Sequence, residues 1–198
     1  MTSLLSRPAA PLRGRAVPPG DKSISHRALL LGALAVGETV IDGLLESDDV
    51  MGTAAALRAL GASISREETK SGEPQSPDIR YRVNGVGLGG LHEPSKVLHM
   101  GNSGTGARLL MGVLATHPVT SVLAGDSSLN ERPMARVTEP LRRMGAEIQA
   151  RDGERLPATV RGAAEPVPIA HTLAVASAQV KSALLLAGLN APGQTSVT

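Results

Sequence analysis

Polar and apolar positions along this chain fall into blocks whose period changes from helical to strand-like and back. The polar stretch Pro19-Gly20-Asp21-Lys22-Ser23-Ile24-Ser25-His26-Arg27 runs directly into the apolar segment Ala28 to Val36. Pro-Gly interrupts the chain, and Asp21, Ser23 and Ser25 offer side-chain oxygens to the unpaired N–H groups of a starting helix. A helix is therefore predicted from about Ser25 to Ala35, stopping at Gly37. Leu12 to Val17 reads as a short strand before it and Thr39-Val40-Ile41 as a strand after it, turned at Asp42-Gly43. Ser47-Asp48-Asp49 caps a second helix, Asp48 to Leu60, with Gly61 just past its end. Ala62-Ser63-Ile64 is the next strand. Arg66 to Asp78 is charged and poor in apolar residues, and is expected to be a hairpin loop facing solvent. Ile79, Tyr81 and Val83 then alternate as a half-buried strand.

The same order returns about 80 residues later, the signature of a repeated supersecondary unit. Gly101-Asn102-Ser103-Gly104-Thr105-Gly106 leads into Arg108-Leu109-Leu110-Met111-Gly112, as the first polar stretch leads into Leu29-Leu30-Leu31-Gly32. A strand at Ser121-Val122-Leu123 follows, and Asn130-Glu131-Arg132-Pro133 is read as a helix start with proline at the first helical position. Met144-Gly145-Ala146-Glu147-Ile148 echoes Leu60-Gly61-Ala62-Ser63-Ile64, and Asp152-Gly153 is a hairpin turn. A third copy opens at Ala176-Ser177-Ala178-Gln179-Val180-Lys181 and reaches a strand near Thr195-Ser196-Val197. The fold class is α/β, built of strand, helix, strand, helix and hairpin units over about 17–88, 89–165 and 166–198, with the third expected to be truncated.

Composition narrows the function classes. With one Tyr and no Phe or Trp, the core must be aliphatic and Met-rich, and stacking platforms for nucleic-acid bases are missing. The net charge of +2 comes from interspersed acids and bases rather than a basic stripe, so no nucleic-acid partner is expected. The absence of cysteine excludes disulfides, thiolate metal sites and a cysteine nucleophile. No apolar run approaches the roughly 20 residues needed to span a bilayer. Arg7, Arg13 and Arg15 without a nearby acid have the flavour of a transit peptide, but Pro8, Pro11, Pro18 and Pro19 oppose an amphipathic helix there. The expected location is the cytoplasm.

If the units pack about a pseudo-threefold axis, the loops at Lys22, Asn102 and Ser177 face one cleft into which helix N-termini also point. Such a cleft suits a small, multiply anionic ligand without a metal or cofactor. Lys22 and Arg27 supply cations, and Arg132 can fork onto a phosphate or carboxylate. The glycine-rich loop matches neither G-x-x-x-x-G-K-[ST] nor G-x-G-x-x-G. A hydrolase built on Ser103 or Ser177 would need a histidine and an acid beside it, and His26, His92, His99, His117 and His171 stand in no recognisable arrangement. His26 is read as a cap or packing residue, and Asp48-Asp49 as a complement to the helix dipole.

Taken together, the Pro19 to Arg27 stretch, Gly101-Asn102-Ser103-Gly104-Thr105-Gly106-Ala107-Arg108, Asn130-Glu131-Arg132-Pro133-Met134 and Ser177-Ala178-Gln179-Val180-Lys181 resemble the EPSP synthase family, the 3-phosphoshikimate 1-carboxyvinyltransferases. The likeness runs from about Val17 to the last residue. It implies two domains, each of three βαβαββ units with helices inside and sheets outside, and an active site between them. It implies transfer of the enolpyruvyl group of phosphoenolpyruvate to the 5-hydroxyl of shikimate 3-phosphate, with release of phosphate and no metal.

Carried over to this chain, the resemblance assigns Lys22, Ser23, Arg27, Ser177, Ala178 and Gln179 to shikimate 3-phosphate. It assigns Lys22, Asn102, Gly104, Arg132 and Gln179 to phosphoenolpyruvate. Ala178 stands where many relatives have serine, which leaves only its backbone to contribute. Leu109 in place of a proline, together with Ser177-Ala178-Gln179, resembles the branch that contains glyphosate-tolerant enzymes. Family members are about twice as long, so the aspartate base, the glutamate and lysine of the proton transfers and further arginines are expected in a missing C-terminal domain. No catalytic acid or base is assigned within this chain. Residues 1–16 are expected to pack on that missing domain, and the parent is expected to be a monomer. The alternatives are the related UDP-N-acetylglucosamine enolpyruvyltransferase, which usually carries Lys-Asn where this chain has Lys22-Ser23, and a non-catalytic anion-binding module.

Overall fold

A computed structural model describes residues 4–8, 11, 13–14, 18–68 and 79–198. Helix α1 (Lys22–Leu34) begins three residues earlier than the sequence suggests. The reason is Asp21, whose carboxylate accepts the Ile24 N–H at 2.7 Å, so Lys22 and Ser23 lie in the first turn rather than in a preceding loop. Strand β1 (Val36–Asp42) follows, and helix α2 (Asp48–Ala59) opens on a Ser47 cap with Asp48 and Asp49 in its first turn. Gly61, at φ +108°, turns the chain into β2 (Ser63–Glu68). Strand β3 (Ile79–Val86) lies between β1 and β2, antiparallel to both, with Ile41 opposite Tyr81 and Ile64 opposite Val83.

The charged hairpin read from Arg66 to Asp78 starts later than expected. Arg66, Glu67 and Glu68 complete β2, where Arg82 of β3 meets Glu67 at 2.9 Å and Glu38 of β1 at 2.6 Å. Cross-strand charge pairs replace the missing apolar contacts. The remainder of that hairpin, Leu12 and Arg15 to Val17 of the expected first strand, and half of residues 1–16 lie outside the described residues.

A second group of elements comprises β4 (Leu98–His99), α3 (Gly104–Leu114), β5 (Thr120–Ala124), α4 (Ser127–Asn130), α5 (Ala135–Arg143), β6 (Glu147–Arg151) and β7 (Arg155–Arg161). The sheet order is β4-β5-β7-β6, with β4 parallel to β5 and the other neighbours antiparallel. Half of the glycine-rich loop is helix, because Ser103 caps α3 and Gly104 to Gly106 form its first turn. Pro133 does not open a helix. It lies two residues before Ala135, and Arg132 follows the short α4 that the sequence reading missed. Strand β8 (Ala170–His171), helix α6 (Ala178–Gly188) and strand β9 (Ser196–Val197) complete the chain, β8 and β9 being parallel.

The core is aliphatic and Met-rich, with Met100, Met111, Met134 and Met144 fully buried beside Leu29, Leu57, Leu109 and Leu141. Tyr81 is the one large aromatic in it, and burial together with its bond to Glu46 pushes the phenol pKa up to about 12. No helix among the described residues is long and apolar enough to cross a membrane. Helix α3 is the most enclosed, with only Thr105 and Arg108 partly exposed. It approaches α6 closely because Gly112 has no side chain: a methyl there would lie 2.1 Å from the Ala183 carbonyl oxygen.

Two helical glycines therefore respond oppositely to a methyl group. Gly112→Ala gains about 1 kcal/mol of helix propensity but overpacks a backbone contact, at roughly 1–3 kcal/mol or more, and is expected to lower the urea midpoint. Gly52→Ala in α2, whose methyl would be 3.9 Å from the nearest atom outside its own helix, is expected to raise the midpoint through a stability gain of up to about 1 kcal/mol. Equal shifts in the two variants contradict the close α3–α6 approach.

Candidate functional site

The first turns of α1, α3 and α6 are joined by side-chain bonds that cross between them. On α1, Arg27 donates through Nη1 to the Ser23 carbonyl at 2.9 Å and through Nη2 to Ser182 Oγ of α6 at 2.8 Å. Ser25 Oγ donates to the Asp21 carbonyl at 2.8 Å and accepts the Leu45 N–H at 3.0 Å, fixing the Pro19-Gly20 loop to the segment after β1. Lys22 does not turn toward α3 or α6. Its ammonium meets Asp49 Oδ2 at 2.9 Å, so Asp49, read as a dipole complement, is also the partner of Lys22.

At α3, Asn102 donates to Asp126 Oδ2 at 2.7 Å and accepts from Arg132 Nη2 at 2.6 Å, while the same Nη2 lies 3.2 Å from Ser128 Oγ. The Asn102 bond and the Leu129 N–H hold the Asp126 carboxyl below the usual range. Gly104 faces two guanidinium groups, since a methyl there would be 3.0 Å from Arg108 Nη1 and 3.3 Å from Arg132 Nη1. Gln179 of α6 completes the cluster. Its Oε1 accepts from Arg108 Nη1 at 3.1 Å and its Nε2 donates to Thr105 Oγ1 at 2.9 Å. Ser177 caps α6 by accepting the Val180 N–H at 3.3 Å, which leaves its own hydroxyl hydrogen to donate outward; Ala178 beside it is exposed.

Thus Asn102, Gly104, Arg132 and Gln179 are brought together, Arg27 is linked to α6 through Ser182, and Lys22 and Ser23 lie on the exposed first turn of α1. Arg108 is the member that the sequence reading quoted without a role. Its position one helical turn after Gly104 was the available signal. It bridges Gly104, Gln179 and Pro133, and burial, then the nearby Arg132 and Arg136, lower its pKa.

Among the described residues, no carboxylate lies within ion-pairing distance of Arg27, Arg108, Arg132 or Arg136, whereas Arg66, Arg80 and Arg82 on the first sheet are all paired. Guanidinium groups so placed beside helix N-termini have the chemistry to hold an anion. Hydrolysis is not supported. His26 Nε2 lies 3.5 Å from Ser103 Oγ, but its other nitrogen faces Thr53 Oγ1 at 2.8 Å rather than a carboxylate, and all three side chains are sealed from solvent. Burial lowers the pKa of His26; the opposing pull of Asp49 is next in size, and Lys22 and then Arg27 add smaller downward pushes.

Comparison with known proteins gives this geometry a family. The sequence profile of EPSP synthase (3-phosphoshikimate 1-carboxyvinyltransferase) matches residues 6–198. The 3-phosphoshikimate 1-carboxyvinyltransferase of Paramagnetospirillum magneticum is 61% identical over 194 residues, covering 98% of this chain and 42% of the relative. That of Paracoccus denitrificans is 58% identical over the same length, with the same coverage. A solved structure of EPSP synthase from Acinetobacter baumannii superposes with a TM-score of 0.84 at 45% identity, covering 93% of this chain and 40% of that one. The chain therefore spans less than half the length of these relatives. Matched along nearly its whole length in sequence and in fold, the chain belongs to the EPSP synthase family.

Proposed function

We propose that this chain is the N-terminal, substrate-holding part of an enzyme that transfers the enolpyruvyl group of phosphoenolpyruvate to the 5-hydroxyl of shikimate 3-phosphate in the cytoplasm. The observation that carries the reading is the set of guanidinium groups without carboxylate partners among the described residues, Arg27, Arg108 and Arg132, gathered near the starts of α1, α3 and α6. Both substrates are multiply anionic, and such a surface holds them without a metal or cofactor.

Shikimate 3-phosphate takes Lys22, Ser23 and Arg27 from α1 and Ser177, the Ala178 backbone and Gln179 from α6. Phosphoenolpyruvate takes Lys22, Asn102, the space left by Gly104, Arg132 and Gln179. Lys22 exchanges its contact with Asp49 for the ligand. The proton-transfer groups come from a second domain outside this chain, on which residues 1–16 also pack. The architecture is a repeat of βαβαββ units with helices inside and sheets outside. Matched backbone details support it: Arg58 Nε bonds the Ile64 carbonyl as Arg142 Nε bonds that of Ile148, and Gly61 and Gly145 share positive φ. Methyl groups at Gly85 and Gly162 would alike strike carbonyls at a helix end, Ala35 O at 2.3 Å and Leu114 O at 2.1 Å.

In the full-length protein, Arg132→Ala is expected to weaken phosphoenolpyruvate roughly 10- to 150-fold, the worth of a charge-assisted hydrogen bond, while shikimate 3-phosphate changes little. Equal losses for both ligands, measured by calorimetry, refute the assignment. Gly104→Ala crowds Arg108 and Arg132 and is expected to raise the inhibition constant of glyphosate, an analogue slightly longer than phosphoenolpyruvate. Identical constants for the two proteins contradict that steric account. The 198-residue chain alone is expected to bind shikimate 3-phosphate weakly, with no opposing domain to exclude water, and to show no turnover, since general acid and base steps each contribute about 10²–10⁴-fold. Robust product formation by the chain alone overturns the division of labour.

A further inference from the structure

The proposed roles leave unused one polar cluster buried at the centre of the site. His26 lies on α1 between the proposed ligand contacts Ser23 and Arg27, yet its ring points inward and is fully buried. Nδ1 is 2.8 Å from Thr53 Oγ1 of α2, and Nε2 is 3.5 Å from Ser103 Oγ at the start of α3, the outer edge of hydrogen-bonding reach. Thr53 and Ser103 are also fully buried. Ser103 Oγ already accepts the Gly106 N–H at 3.0 Å, capping α3 between Asn102 and Gly104 on one side and Gly106 on the other. The two hydroxyls and the ring converge over a space that only glycine leaves open. A methyl at Gly106 would lie 2.7 Å from Thr53 Oγ1 and 2.8 Å from Ser103 Oγ.

A ring in this position does more than fill space. A buried polar group without a partner is costly, so a neutral imidazole here demands one hydroxyl that donates and one that accepts. That demand sets the orientation of the Ser103 hydroxyl, and Ser103 sets the start of α3. Helix α1 has separate anchors, namely Leu29 and Leu30 in the core, Ser25 on Leu45 and Arg27 on Ser182. Losing the His26 bridge therefore leaves α1 and α6 in place but removes the side-chain tie from α1 to the Asn102–Gly104 turn, whose remaining anchors, Asp126 and Arg132, do not reach α1, so that its register against Lys22 is no longer set.

We infer that His26 is a positioning residue that sets the register between Lys22 on α1 and the Asn102–Gly104 turn on α3, and so governs binding of the carboxyvinyl phosphate substrate selectively. This rests on the assignment of phosphoenolpyruvate to Lys22, Asn102 and Gly104 proposed above. The ring touches neither ligand and acts only through Ser103 and Thr53.

The test uses the full-length protein and measures the Kd of shikimate 3-phosphate, the KM of phosphoenolpyruvate, kcat and the thermal midpoint. His26→Leu fills the space without hydrogen bonds, and is expected to raise the KM of phosphoenolpyruvate about 10-fold while the Kd of shikimate 3-phosphate stays within about 2-fold. His26→Gln, whose amide nitrogen reaches the place of Nε2, is expected to recover most of that loss. In a double-mutant cycle, His26→Leu and Ser103→Ala are expected to be non-additive for this KM. A lowered midpoint with both affinities unchanged reduces His26 to packing and overturns the inference. So do equal losses for both ligands, or additivity with Ser103→Ala. If His26→Leu does not fold, His26→Gln and Ser103→Ala decide the matter through the same ratio of affinities. A wild-type protein that fails to bind either substrate refutes the proposed function instead.

Discussion

Helix α3 lies where it does because Gly104, Gly106 and Gly112 carry no side chain. Gly112 admits the Ala183 carbonyl of α6, Gly106 admits the hydroxyls of Thr53 and Ser103, and Gly104 leaves room for the guanidinium groups of Arg108 and Arg132. Each glycine costs the helix about 1 kcal/mol relative to alanine, so α3 persists through burial of Leu109, Leu110, Met111, Val113 and Leu114 rather than through propensity. The same contact that burdens the helix places Gln179 of α6 on Thr105 and Arg108 of α3. Packing of the core and assembly of the site are one event.

Charge is distributed unevenly as a result. On the first sheet, Arg66, Arg80 and Arg82 are neutralised by Glu46, Asp42, Glu38 and Glu67 across neighbouring strands and loops. At the meeting of α1, α3 and α6, arginines instead bond carbonyls, amides and hydroxyls: Arg27 with Ser182, Arg108 with Gln179 and Pro133, and Arg132 with Asn102. These partners orient a guanidinium without cancelling its charge. Burial first, and then the charges of Arg132 and Arg136, lower the pKa of Arg108, and an anion placed among these groups relieves the repulsion it feels.

Much of this was legible in the sequence because the informative signals were local. Ser47 announced one helix start, the Asp21-to-Ser25 stretch announced another although its start was read three residues late, Gly61 and Gly145 announced helix ends, and the alternation of Ile79, Tyr81 and Val83 announced a half-buried strand. What was misread depended on tertiary partners. Arg66 to Glu68 looks like a loop until Arg82 and Glu46 arrive from elsewhere to pair with it. Pro133 looks like a first helical residue until Met134 is drawn to Glu154, its N–H bonding that carbonyl at 2.6 Å, and the helix starts after it. Of the residues gathered in the candidate site, Asn102, Arg132 and Gln179 stand in the motifs, and Arg108 lies one helical turn after Gly104, but the bonds from Arg108 to Gln179 and from Arg27 to Ser182 and the His26–Thr53–Ser103 cluster join elements far apart in sequence and leave no local trace.

The central claim is that arginines without carboxylate partners at the joined helix starts exist to hold anions. Nitrogen-detected resonances of the arginine Nε–H groups test it most directly, followed while phosphoenolpyruvate is titrated in the presence of shikimate 3-phosphate. The account requires a shift at Arg27 on addition of shikimate 3-phosphate and then saturable shifts at Arg132 and at Arg108 beside Gly104 and Gln179, with Arg66, Arg80 and Arg82 of the paired first sheet unmoved. Uniform, non-saturating shifts at all of these arginines, or shifts confined to the first sheet, would contradict it.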